Sequence, residues 1–225
     1  MVRRKYFNNI ITCSTWSISY LYRMARQKYL LLIISMILGL SEFAHAQNFK
    51  ASLRAGFIAS QVSGDELSGF HKLGITGGAF ASLTPNDKIT WEMGLQYIQK
   101  GSRKVQNPAK GDYSSYLMAL QYMEVPVMVR FNMGKFSYGL GPSFGALVGS
   151  KEENQIGALK PVRPFKDWEL SGNLSISYNL GEKWMAEWRY NTSLLPVREH
   201  SGGQTFRLNR GQYHSALMIM LGYRL

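Results

Sequence analysis

The sequence predicts an all-β chain, an eight-stranded antiparallel transmembrane β-barrel preceded by a cleaved N-terminal signal peptide. Three observations carry this. Segments alternating apolar and polar residues recur from Lys50 to the end, short turns alternate with long polar loops between them, and an export signal precedes them. Alternation gives each strand one greasy and one wet face. Strands in lipid cannot leave an edge unpaired, so the sheet must close on itself.

The leader is Met24–Gln47, with Arg26 and Lys28 as the basic n-region, Tyr29–Leu40 as the apolar run and Ala44-His45-Ala46 as the cleavage signal. That run is shorter than the ~20 apolar residues a spanning helix needs. Residues 1–23 read as an extended n-region or as a start codon placed too early, residues 24–46 as the signal peptide and residues 47–225 as the barrel domain. The single cysteine, Cys13, falls in the discarded part, which excludes a disulfide, a thiol nucleophile and a cysteine metal site from the mature chain. The net charge of +12 is scattered over loops and strands rather than gathered in runs. In an exported chain this excludes nucleic acid as a partner and favours anionic lipid headgroups.

The eight strands are expected at about Lys50–Ile58, Lys72–Thr84, Lys88–Lys100, Leu117–Asn132, Phe136–Val148, Lys166–Leu180, Lys183–Leu195 and Tyr213–Leu225. The third illustrates the pattern: Ile89, Trp91, Met93, Leu95 and Tyr97 share one face, and Thr90, Glu92, Gly94 and Gln96 share the other. Short turns fall at 85–87, 132–135 and 181–182, and long loops at about 59–71, 101–116, 149–165 and 196–212. An even strand number puts both termini on the periplasmic side of an outer membrane, with the long loops outside. Trp91, Tyr97, Trp184, Trp188, Tyr190 and Tyr223 face outward as candidate interfacial aromatics. Pro126, mid-strand, removes a ladder donor and predicts a bulge or bend near Glu124.

At the fourth and fifth strands the residues resemble a known family. Tyr122-Met123-Glu124-Val125-Pro126-Val127, followed by Arg130-Phe131, looks like the Y-x-E-x-P strand of PorT-type outer-membrane β-barrel proteins. Tyr138-Gly139-Leu140-Gly141-Pro142-Ser143-Phe144-Gly145 resembles the Gly-rich strand that follows it there. Glu187-Trp188-Arg189-Tyr190 and Leu221-Gly222-Tyr223-Arg224-Leu225 resemble that family's last two strands, with Leu225 where the pattern often ends in Phe. The resemblance implies an eight-stranded outer-membrane barrel and a terminal strand read by the barrel-assembly machinery. It implies little about activity, since fold does not confer function.

The inward faces carry Arg54, Glu92, Glu124, Arg130, Glu187, Arg189 and Arg224. Buried charges must be paired, so a structural network inside the barrel is expected, with Glu124–Arg189 and Arg130–Glu187 as candidate pairs. For catalysis, His200-Ser201 and His214-Ser215 invite comparison with lipid-hydrolysing barrels, but neighbouring strand residues face opposite ways and only Glu199 is at hand as an orienting acid. No catalytic, metal or cofactor site is therefore expected. The function expected is non-enzymatic: a monomeric envelope barrel whose loops contact lipid headgroups, lipopolysaccharide or envelope proteins. Accessory service to a secretion or envelope-assembly system is the alternative, and a lipid hydrolase the weakest reading.

Overall fold

In the computed structural model, residues 49–63, 69–159, 163–199 and 211–225 are described. Eight long strands form one antiparallel sheet: β1 Phe49–Ser63, β2 Lys72–Asn86, β3 Ile89–Lys104, β4 Tyr116–Met133, β5 Phe136–Asn154, β6 Trp168–Asn179, β7 Trp184–Ser193 and β8 Gly211–Arg224. Each pairs with its sequence neighbours, and β8 pairs with β1 from Tyr213↔Ser63 to Arg224↔Ser52, closing the barrel. Two-residue strands at Gly157–Ala158 and Arg198–Glu199 add short ladders to β5 and β8. The expected signal peptide lies outside the described residues.

Alternation fixes which face is which. On β3, Trp91, Met93 and Leu95 are exposed while Thr90, Glu92 and Gln96 are buried. The same inversion of a soluble core holds around the barrel, with Leu53, Phe57, Val127, Leu140, Leu174, Trp188, Ile219 and Leu221 all exposed. A continuous apolar exterior of this kind suits lipid.

The turns are tighter than the sequence suggests. β2 continues through Pro85 and Asn86, and the Asn86 side chain accepts from the backbone N–H of Lys88 and Ile89 at 3.1 and 2.8 Å, closing the hairpin at Asp87-Lys88. The next short turn is Gly134-Lys135, where Gly134 has φ 62°, a left-handed conformation glycine adopts without a Cβ penalty.

The strands also run further than expected. β1, β3 and β5 extend to Ser63, Lys104 and Asn154, into stretches expected as loops. What continues the strands is a packed interior: Ile58, Val62, Ile98, Met118, Leu120, Phe165, Met218 and Met220 form a buried apolar cluster in the long-loop half of the lumen. β5 has 19 residues, about 64 Å at ~3.4 Å each. Tilted by ~45° it rises about 45 Å against ~30 Å of hydrocarbon.

A register shift does occur near Glu124, as expected, but not at Pro126 itself. Register across β3–β4 is the same at Met93↔Val127 and Gln96↔Glu124, and across β4–β5 it is the same at Pro126↔Ser143 and Val129↔Leu140. The shift falls instead between Gln121 and Tyr122. Pro126 can be absorbed because it costs one donor without displacing its neighbours.

Candidate functional site

Among the described residues, strand alternation gathers chemistry-bearing side chains in the barrel lumen. In the half nearer the chain ends and short turns, five charged residues from four strands form a layer. Arg54 of β1 bonds Glu92 of β3 through both Nη nitrogens and reaches Glu187 of β7 through Nη1 at 2.8 Å. Arg130 of β4 places Nη2 2.8 Å from Glu92 and 2.8 Å from Glu187. Arg189 donates to Glu187 through Nε at 2.8 Å and lies 2.6 Å from it through Nη2. Outlying bonds tie the layer to Ser177 and Gln96. All five charged side chains are almost completely buried.

An aromatic ring seats this layer. Phe80 on β2 points inward, with the Arg54 and Arg189 guanidinium carbons 4.2 and 5.5 Å from its centroid. Gly94 makes room for it: a Cβ there would lie 2.3 Å from the Phe80 ring. Gly145 serves Glu124 in the same way, at 3.0 Å.

A second cluster lies further along the lumen. Lys100 Nζ sits 2.6 Å from Glu124 and 2.9 Å from Glu169. Ser171 donates to Glu169 at 2.7 Å, and His214 Nδ1 faces the other Glu169 oxygen at 3.3 Å. Tyr122 packs edge-on to His214 at 5.8 Å between centroids. Beside this cluster, Asn191 donates to Asn173 at 2.9 Å and Asn173 to Ser143 at 3.0 Å. At the long-loop rim, Arg198 holds Glu152 at 2.9 Å and stacks over Phe165. In the β3–β4 loop, Lys104 lies 2.8 Å from Asp112. The Lys104 and Ser114 bonds hold the Asp112 carboxyl well below the usual carboxylate range.

Of the seven charged residues expected on the inward faces, Arg54, Glu92, Arg130, Glu187 and Arg189 meet in the first layer and Glu124 belongs to the second cluster. Glu124 pairs with Lys100 rather than Arg189. Arg224 joins neither group: it sits half-buried at the mouth, bonded to the Asn179 side chain and the Glu182 carbonyl, because β8 ends there. Lys100 and Glu169 escaped sequence reasoning, and His214 was weighed only as a catalytic candidate rather than as a lumen partner of Glu169. Lys100 shares the parity of Glu92 and Gln96, and Glu169 follows the outward Trp168, so parity alone could have found both. The outward aromatics spread along the strands. Trp184 meets Tyr223 at 5.0 Å near a short turn, whereas Trp188 lies four residues further along β7, ~13 Å away.

His214 is enclosed, and Ser215 lies under the Tyr190 hydroxyl at 3.3 Å. His200 and Ser201 lie outside the described residues. Among the described residues no cluster of three metal-ligating side chains occurs.

The model of the outer membrane protein beta-barrel domain family matches residues 45–199. The chain belongs to this family. The match takes in β1 to β7, and β8 completes the family's barrel beyond it. No curated protein matches the chain. Among solved barrels, it is similar to Ail of Yersinia pestis at 13% identity, covering 78% of this chain and 98% of that one, with a TM-score of 0.48. Neisserial surface protein A follows at 10% identity, 79% and 97% coverage and a TM-score of 0.46. OprG of Pseudomonas aeruginosa stands at 12%, 80% and 97%, and 0.41.

Proposed function

We propose that this outer-membrane barrel is a closed, non-enzymatic scaffold, monomeric in the membrane, with its chain ends and short turns in the periplasm. Its long loops and strand extensions meet lipid headgroups, lipopolysaccharide or envelope proteins outside. The observation that carries this reading is the charged layer. Arg54, Glu92, Arg130, Glu187 and Arg189 bridge strands on opposite sides of a barrel too narrow for more than side chains. Every oxygen they would offer a passing solute is engaged by a neighbour. The interior therefore supports rigidity rather than passage, and single-channel recording in a planar bilayer tests it. A silent membrane is expected, and steady conductance from the pure protein would remove the proposal.

Binding outside is supported by Lys72, Arg103 and Lys104 around a cavity of about 690 Å³ at the long-loop end. Cations so placed suit lipopolysaccharide phosphates. Lys72→Gln with Arg103→Gln should weaken retention on lipopolysaccharide. The terminal Leu221–Leu225 segment supports recognition by barrel-assembly machinery during biogenesis. The PorT-like strands around Glu124 and Gly139 support a narrower second reading, accessory service to a secretion or envelope-assembly system. Co-purification of such a complex from native membranes would favour it, and a clean monomer would count against it.

A further inference from the structure

The charged layer has two sides, and the side toward the chain ends is not filled. A cavity of about 470 Å³ opens there, with Arg54, Glu92 and Arg130 as its floor. Its walls carry hydroxyls and amides, among them Ser52, Thr84, Thr90, Asn132 and Asn179, beside the apolar Ala51, Met185 and Leu225. Lys50, Lys183 and Arg224 stand at its rim against Glu182.

The charge there does not balance. The layer holds three guanidiniums against two carboxylates. With the rim, six cations face three carboxylates, or four if Leu225 carries a terminal one. Burying a cation without an acceptor is costly. The Nε–H groups of Arg54 and Arg130, sealed beneath the cavity floor, have no hydrogen-bond partner among the described residues, so the positive charge of the layer is not fully met from within. Guanidinium forks, hydroxyls and amides together are the donor set that oxyanions require.

We infer that this mouth cavity is a binding site for a phosphate-bearing small ligand, held by Arg224 and Lys183 at the rim above the Arg54–Arg130 floor. The phosphate is either free in solution or part of an anionic lipid headgroup in the adjoining leaflet. This site lies at the opposite end from the loops of the proposed function and stands independently of it.

The test is calorimetric titration of inorganic pyrophosphate into the refolded barrel in zwitterionic detergent. One-to-one binding is expected. Arg224→Gln and Lys183→Gln should each weaken it about tenfold, the loss of one charged hydrogen bond. Lys151→Gln, an exposed lysine paired with Glu153 beyond the far end of the lumen, should leave it unchanged. A second arm places the barrel in nanodiscs of phosphatidylglycerol in phosphatidylcholine and follows the ³¹P resonance. Broadening of the phosphatidylglycerol signal that Arg224→Gln relieves, without pyrophosphate binding, identifies the headgroup as the source. No binding in either arm, or binding that both rim variants leave intact, would overturn the site.

Discussion

Arg130 on β4 reaches Glu187 on β7 across the lumen, Nη2 to Oε2 at 2.8 Å, although the two strands are not neighbours in the sheet. Glu187 also receives Arg54 and Arg189. Removing it would leave three buried guanidiniums facing Glu92 alone. Glu187→Ala should therefore cost about 3–5 kcal/mol, the usual penalty for orphaning a buried charge. Urea titration of the folded band on unheated gels measures this. A loss below ~1 kcal/mol would mean that water reaches the layer.

Lys100 poses the complementary case. It lies between Glu124 and Glu169 with no exposure to solvent. Lys100→Met alone strands two carboxylates and should destabilise by a similar amount, whereas Lys100→Met with Glu124→Gln and Glu169→Gln should recover most of the loss. A triple variant no better than the single one would show that the amides cannot satisfy the site.

Gly94 predicts a steric effect with an electrostatic echo. A valine there collides with the Phe80 ring, which lies beneath Arg54 and Arg189. Gly94→Val should cost ~1–3 kcal/mol. Phe80→Leu in the same chain should restore part of it, and a cycle of the four proteins measures the coupling.

Trp184 and Trp188 share a strand and a face but not a depth. In bilayers with brominated acyl chains, a single-tryptophan protein retaining Trp188 should be quenched most strongly by bromines near the chain ends. One retaining Trp184 should respond to bromines near the glycerol. Equal profiles would contradict the tilt and register described above.

The Asp112 carboxyl is exposed and held by Lys104 and Ser114. Because its folded value is depressed, its contribution is complete above the ordinary Asp value of ~3.9 and is lost as pH falls through the lower folded value. Amide exchange across residues 105–115 should be insensitive to pH-corrected changes from neutral down to about pH 4 and accelerate below it. Asp112→Asn should remove that acceleration.

The barrel itself was legible because a two-residue period survives any uncertainty about ends: all eight strands and their outward faces can be read from residues such as Trp91, Val127 and Leu221. Strand ends were less legible, since nothing local marks Val62 as lumen core rather than loop. That assignment depends on Ile58, Ile98 and Met220 arriving from other strands. Partner choice was the least legible. Parity puts Glu124 and Arg189 inside, but their heights along the axis follow from stagger between strands, and stagger gave Glu124 to Lys100. The irregularity expected near Glu124 falls between Gln121 and Tyr122 rather than at Pro126, because a missing donor is a local loss that need not displace its neighbours.

The seam between β1 and β8 joins nearly the two extremes of the described chain. Until it forms, both flanking strands present unpaired backbone to whatever surrounds them, which bilayer hydrocarbon does not tolerate. Arg54 also lacks Glu187 until β7 and β8 come round to β1. Zipping the seam and completing the Arg54–Glu187 contact are thus coupled. A chain shortened within β8 would remain an open, charged sheet rather than become a smaller barrel.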